Sequence, residues 1–378
     1  MPVEALSGRV AAEDVQAPVS LPPFHSSAMD GYACRSEDLA TDATLRLVGE
    51  SLAGHPFRGS LTAGQCIRIT TGAAVPDSAD TVVIQEDTRR DDANVILTEV
   101  PVPGANIRAI GHDVRRGETI AHQGQLLNPM DLGWIAACGV RSVSVFRRPR
   151  VAIFSTGDEL VEPGGALSDG QIYDSNRYAL AALLSHLPAE VTDLGVLPDE
   201  PDTIENALRD AASTNDLLLT SGGVSVGDAD YVKGVVESLG ALSLWRMNLK
   251  PGKPLAFGRV GHVPFLGLPG NPVSTIVTFL LVARPVIYRL SGAKQQGPLI
   301  QHARLGKPIR HNPGREEYQR GILSRDGDEQ WVEVTGDQSS NRLATFSGAD
   351  CLIRIPKESV DLEAGIQVEV LPFYGLIG

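Results

Sequence analysis

From residue 150 to residue 292, segments of buried-strand character alternate with segments of helical spacing, and this alternation limits the possible fold more than any other property of the chain. Residues 151–155 (VAIFS), 191–197 and 216–220 are short apolar runs of strand length, followed by 254–260 and 263–267, with Trp245 on a further strand. Between them lie helical patterns. Asp174-Ser175 caps a helix to His186 with Leu180, Leu183 and Leu184 on one side. A second helix runs from near Pro201 to Ala212, a third spans 231–239, and Asn271-Pro272 opens a long last one by cap and first-position proline. Strands alternating with helices predict a doubly wound, mostly parallel α/β sheet, whose ligands sit beyond the carboxyl ends of its strands.

Three loops therefore meet on one rim, because TGDEL, SGGVSVGDAD and LPGNP each follow a strand. In the second loop Ser221, Gly222 and Gly223 let the backbone turn sharply and bring N–H groups to an anion, and the helix after it adds partial positive charge. Asp228 and Asp230 then require a bridging cation, since a carboxylate beside a phosphate is repulsive; a hard divalent ion, Mg²⁺, suits them. Taken alone, this loop reads better as an ordinary strand-to-helix turn capped by Asp228, and its surroundings tip the balance toward the ligand loop. Asp158 and Glu159 read as a surface pair or as metal or ribose contacts. Lys250 and Lys253 in KPGKP form a proline-stiffened cationic turn suited to phosphate, with Arg246 nearby, and Pro269 and Pro272 shape the third loop. There is no Ser-His-Asp pattern, nucleophile elbow or phosphate-binding P-loop, which disfavours acyl-enzyme and P-loop kinase chemistry.

The flanks differ in character. Residues 44–104 alternate as strands and turns and read as a small inserted β-domain after the stiff VSLPPF entry. Residues 104–149 contain GANIRAIGHDVRRGETIAHQG, whose mixed charges read as a solvated loop; Asn128-Pro129 then opens a helix to Cys138, and residues 146–149 form a linker. Residues 293–378 return to strands and read as a barrel-like β-domain. The expected division is 1–149, 150–292 and 293–378. A net charge of −13 argues against a nucleic-acid partner. The apolar stretch 273–290 carries Arg284 and Arg289 and reads as a core helix, not a membrane span. The start shows no secretory leader pattern, and Cys34, Cys66, Cys138 and Cys351 are scattered without a CxxC pair, so reduced thiols and a cytoplasmic location are expected.

SAMDGYA, RITTGAAVP with a following QED, GANIRAIGHDV, FSTGDEL, DGQIYDSN, SGGVSVGDADY, KPGKP and GLPGNPVS occur in this order. Together they resemble the MoeA family of molybdopterin molybdenumtransferases, which includes the E domain of gephyrin. The resemblance spans nearly the whole chain and weakens after residue 293. It implies an elongated four-domain homodimer that cleaves adenylylated molybdopterin with Mg²⁺, inserts molybdate at the dithiolene and releases AMP. Matched motif by motif, it implies functional roles for Asp30, Thr71, Arg108, Asp113, Glu159, Asp199, Asp230, Lys250, Lys253, Pro269 and Pro272, with Ser340 a weaker match. Of these, Asp30, Asp113, Glu159 and Asp230 are the expected catalytic residues, and Asp230, Glu159 and Asp228 the expected metal ligands. The α/β region alone resembles a MogA-type molybdopterin adenylyltransferase, and gephyrin's domain also serves as a scaffold. The β-regions and SAMDGYA favour the first reading over the adenylyltransferase, and the scaffold reading ranks low because nothing in these residues resembles gephyrin's long linker or its fused second enzyme. Relatives carry a further helical segment before the PPF entry and commonly a lysine where Arg246 stands. Molybdate and tungstate are too alike in size and charge for the sequence to separate.

Overall fold

The computed structural model describes residues 1–223, 231–294 and 297–377, with backbone alone at 244–246. The chain divides into two compact units. One comprises Met1–Ser7, Glu13–Gln123 and Leu127–Ser144; the other comprises Gly8–Ala12, Gly124–Leu126 and Val145–Gly378.

The larger unit is built on a six-stranded sheet ordered Glu190–Leu197, Arg150–Thr156, Leu217–Ser221, Val263–Leu268, Pro254–Val260, Gly240–Arg246. The first four strands are mutually parallel. The last two join antiparallel, one through the hairpin turn at Gly261. Both faces are covered, which is why the strands Arg150–Thr156 and Leu217–Ser221 carry unbroken apolar runs at 151–154 and 217–219. Val151, Ile153, Leu217 and Leu219 pack under the helix Asn176–Ser185 and the helix beginning at Pro272. Ala152, Phe154 and Leu218 pack under the helices Pro201–Thr214 and Tyr231–Leu239.

The long last helix, Pro272–Leu290, is among the described residues the one long and apolar enough to cross a membrane. Val273, Val277, Phe279, Leu280, Ala283 and Ile287 instead lie in the core. A wider π-type turn, Phe279–Ala283, precedes Arg284–Leu290. Pro285 supplies the reason: it offers no N–H and its ring crowds the carbonyl one turn earlier, which a wider turn relieves. One capping expectation is corrected and another is met by only one of its two residues. Asn271 makes no side-chain cap bond; the Ser340 carbonyl accepts from Val273 N–H instead. At the helix Asn176–Ser185, Ser175 does not cap with its side chain; Asp174 Oδ1 accepts from Arg177 N–H.

The carboxyl-terminal strands close into a five-stranded barrel, Glu316–Asp326, Glu329–Val334, Gln301–Leu305, Gln367–Pro372 and Cys351–Ile355, the last pairing back to the first. Its pairs are antiparallel apart from Gln301–Leu305 with Glu329–Val334. A sixth segment, Leu249–Lys250, adds in parallel to Glu316–Asp326.

The smaller unit holds a second six-stranded sheet ordered Thr81–Ile84, Gly31–Cys34, Gln65–Ile69, Thr44–Ser51, Asn94–Leu97, Thr88–Asp91. It reaches further back than residues 44–104, because Gly31–Cys34 lies within it. A Cβ at Gly31 would sit 2.0 Å from the Val83 carbonyl oxygen, so close strand approach demands glycine there. The helix Pro129–Ala137 opens with a reciprocal box, Asn128 accepting from the Asp131 N–H and Asp131 from the Asn128 N–H. All four cysteines are buried free thiols, and burial pushes the Cys34 and Cys66 thiols up to about 12.

Candidate active site

In the larger unit a cleft of about 640 Å³ opens at the carboxyl ends of the parallel strands. Thr156 and Glu159 enter it from the first loop, Ser221, Gly222 and Gly223 from the second, and Pro269, Gly270 and Pro272 from the third. This is the meeting of loops that strand order demands. Gly222 and Gly223 have φ of +90° and +65°, a backbone that L-side chains rarely adopt. Asn176 Nδ2 donates to the Gly270 carbonyl at 2.7 Å and ties the third loop to the opposite wall. Thr275 Oγ1 donates to the Pro269 carbonyl at 2.6 Å and fixes the loop from beneath. Ser221 Oγ is buried and has no hydrogen-bond partner among the described residues. A buried hydroxyl left unpaired is costly, and a ligand in the cleft would complete it.

Acid groups flank the cleft. The Glu159 carboxylate folds over Gly157, whose φ is +143°. Asp199, after the next strand, donates its N–H to Asp158 Oδ1 at 3.5 Å. Burial raises the Asp199 carboxyl above the usual range, and the neighbouring Asp158 charge adds to the rise. Among the described residues no three acid, histidine or cysteine side chains lie close enough to hold a metal ion. Asp228 and Asp230, the other expected ligands, lie outside the described residues.

The two lysines do not line this cleft, although Pro254 beside Lys253 does. Lys250 Nζ is 3.0 Å from Glu317 Oε1 on the barrel and remains half-exposed, and Lys253 is exposed. Their loop seats on the long helix: a Cβ at Gly252 would lie 2.5 Å from Thr278 Oγ1. Ser340 acts through its backbone, as the carbonyl that caps the helix at Val273, and its neighbour Asn341 reaches the cleft.

Asp30, Thr71, Arg108 and Asp113 all lie in the smaller unit. Asp30 Oδ1 accepts from Thr71 N at 2.6 Å and from Thr71 Oγ1 at 2.9 Å. Those two bonds lower the Asp30 carboxyl, since both favour its charged form. Arg108 and Asp113 line a second cleft of about 520 Å³ with Pro22, Phe24 and His112. Arg108 is placed by the short pairing of Ile107–Arg108 with Ser26–Ser27.

Two arginines escaped the sequence reading. Arg320 is fully buried; it donates to Thr345 Oγ1 and to the carbonyls of Asp337, Gln338 and Ser339, and so holds the loop that carries Ser340 and Asn341. Arg177 is buried beneath the cleft wall and bonds Asp174, Asp193 and Glu162. A lone arginine in a strand or helix gives no local signal of such partners. The excess of acids around residues 158–174 was the available hint for Arg177.

The chain matches three family models in sequence: the MoeA N-terminal region (domains I and II) over residues 1–139, the probable molybdopterin-binding domain over 152–289, and the MoeA C-terminal region (domain IV) over 302–373. It is similar to the molybdopterin molybdenumtransferase of Haemophilus influenzae, at 41% identity over 100% of this chain and 94% of that protein. It is also similar to gephyrin of Dictyostelium discoideum, at 32% identity over 96% of this chain and 58% of that protein. A crystal structure of the molybdopterin biosynthesis MoeA protein of Pyrococcus horikoshii superposes with a TM-score of 0.80 at 32% identity, over 99% of this chain and 93% of that one. Read with the doubly wound sheet, the closed barrel and the β-rich amino-terminal region, these likenesses make the chain a member of the MoeA family of molybdopterin molybdenumtransferases.

Proposed function

We propose that the chain inserts molybdate into adenylylated molybdopterin, with Mg²⁺-dependent cleavage of the phosphoanhydride and release of AMP. The observation that carries this reading is the convergence of the Glu159, Ser221–Gly223 and Pro269–Pro272 loops on one cleft. Its volume, about 640 Å³, suits a ligand of nucleotide–pterin size. The helix starting at Pro272 turns its N-terminus to the cleft, which favours phosphate. Ser221 Oγ supplies a hydrogen bond to the ligand, and Lys250 and Lys253, outside the cleft lining but joined to it through Pro254, bind the phosphates where they extend past the rim. Glu159, with Asp228 and Asp230, holds Mg²⁺; the fit rests on Glu159 in the cleft and on the crowding of Asp158 and Asp199, which a cation relieves. When bound, the ion supplies Lewis-acid polarisation of the phosphoanhydride. The buried reduced thiols suit a cytoplasmic enzyme.

The active form is inferred to be a homodimer that needs the Asp30, Thr71, Arg108 and Asp113 group as well as the cleft. The deciding assay supplies purified protein with adenylylated molybdopterin, Mg²⁺ and either molybdate or tungstate, and follows AMP. Oxyanion-dependent AMP release is expected, and its absence with both oxyanions overturns the reading. Asp230→Asn keeps capping ability but loses charge, so a folded variant with AMP release reduced by orders of magnitude is expected. Wild-type turnover would leave Asp230 a capping role alone.

A further inference from the structure

The chain leaves the α/β sheet after Gly240–Arg246, pairs for two residues with the barrel at Leu249–Lys250, and returns to the sheet at Pro254–Val260. Register sets Lys250 opposite Glu317, and the Glu316 N–H donates to the Asn248 carbonyl at 2.9 Å. Glu317 is 3% exposed, a rare condition for a carboxylate. It is satisfied by three donors: Lys250 Nζ at 3.0 Å, Gln319 Nε2 at 2.9 Å and His311 Nδ1 at 2.9 Å. His311 is itself buried, and its Nε2 has no partner among the described residues. An ionised carboxylate can only accept, so His311 Nδ1 carries the proton that faces Glu317. The carboxylate is thus oriented by two donors of the barrel region, His311 and Gln319, and offers its remaining bond to Lys250.

Lys250 remains 47% exposed, so one side of its ammonium is held and the other is open. A free lysine end samples many rotamers and loses that freedom when it grips an anion. We propose that Glu317, itself aligned by His311 and Gln319, is a positioning residue that holds the Lys250 ammonium in place for the substrate's phosphates. This rests on the phosphate role given to Lys250 above. The opposing effect is charge neutralisation: if Glu317 only cancelled the lysine's charge, removing it would strengthen anion binding.

The test is a double-mutant cycle in the full-length protein, reading affinity for adenylylated molybdopterin by calorimetry, with the melting temperature as a check on the fold. Lys250→Ala is expected to weaken binding roughly ten- to a hundredfold, as loss of a charge-assisted contact does. Glu317→Gln is expected to weaken it about three- to tenfold in the wild-type background and not at all in the Lys250→Ala background. Unchanged affinity in Lys250→Ala removes the phosphate role of the lysine, and the positioning with it. If Lys250→Ala weakens binding but Glu317→Gln tightens it, leaves it unchanged, or weakens it equally in both backgrounds, the positioning alone is overturned. Should Glu317→Gln fail to fold, Gln319→Met removes one orienting donor and keeps the ion pair; the same cycle with it is expected to give a smaller, still Lys250-dependent loss, and a loss independent of Lys250 overturns the proposal.

Discussion

Gly222 and Gly223 are adjacent, both in the left-handed region, and both on the cleft, yet the structure makes their tolerance of a side chain unequal. An alanine at either position pays for an unfavourable φ, about 1–2 kcal/mol, and either change restricts the unfolded chain by about 0.4–1 kcal/mol in the stabilising direction. These terms are common to both. At Gly222 the new Cβ meets only the Thr156 carbonyl oxygen at 3.6 Å, an ordinary contact. At Gly223 it would lie 2.5 Å from Thr156 Oγ1 and 2.7 Å from Val232 Cγ2. The valine is β-branched, buried and rotamer-stiff, so it does not swing aside. Overpacking of this kind costs about 1–3 kcal/mol. Gly223→Ala is therefore expected to be less stable than Gly222→Ala by that difference, read from urea unfolding of the two variants side by side so that contributions from the rest of the chain cancel. Val232→Ala should restore part of the gap when combined with Gly223→Ala. Equal stabilities of the two single variants would refute the steric argument and leave φ as the whole requirement.

Asn176→Ala removes the 2.7 Å bond to the Gly270 carbonyl and should weaken ligand binding by about 1 kcal/mol with little change in melting temperature; an unchanged affinity would mean the LPGNP loop holds its shape unaided. Asp199 has a raised carboxyl pKa, so the unfolded chain ionises first and stability declines as pH rises through the ordinary carboxylate range toward the folded value. Asp199→Asn should accordingly gain stability at neutral pH, with the gain fading below the unfolded pKa, as a pair of pH–stability curves would reveal. Asp216 shows the opposite sign: Arg147 and the Arg150 N–H depress its carboxyl, so its contribution is present above the unfolded pKa and disappears as pH falls through the depressed one. Asp216→Asn should cost about 1 kcal/mol at pH 7 and nothing in strong acid. Mixing Asp30→Asn subunits with Asp230→Asn subunits should restore part of the AMP release if the active form is a dimer with shared sites, and a mixture as inactive as its parents argues against sharing.

The α/β sheet was legible because both its faces are covered: the middle of a strand such as Arg150–Thr156 must be apolar on both sides, and the run at 151–154 stands out in sequence. Glu159, Ser221–Gly223, Pro269 and Pro272 could be gathered on one rim for the same reason, since each follows a parallel strand. Gly31–Cys34 was hidden because it is four residues long, buried on both sides and begins with a glycine, which resembles a turn. Leu249–Lys250 and Gln301–Leu305 are short or polar, and only long-range pairing makes strands of them. The lysines looked like a single clamp because sequence reports spacing but not partners; nothing near KPGKP announces a buried Glu317 in another sheet. Arg320 was illegible for the same reason, since its acceptors are backbone carbonyls, which every residue has.

The two-residue excursion of Leu249–Lys250 into the barrel has a consequence for how this region behaves as matter. Leu249 shares one hydrophobic core with Val277 and Phe279 of the long helix and with Tyr318, Leu352 and Leu371 of the barrel strands. The sheet and the barrel thus share buried apolar contacts that neither could keep if the other melted, and heat should carry residues 145–377 through one transition rather than two. A cut near residue 292, where the two look separable in sequence, would strip the cover from that shared core and leave the sheet half with a sticky apolar floor. The barrel therefore acts as the far wall of the sheet's own interior.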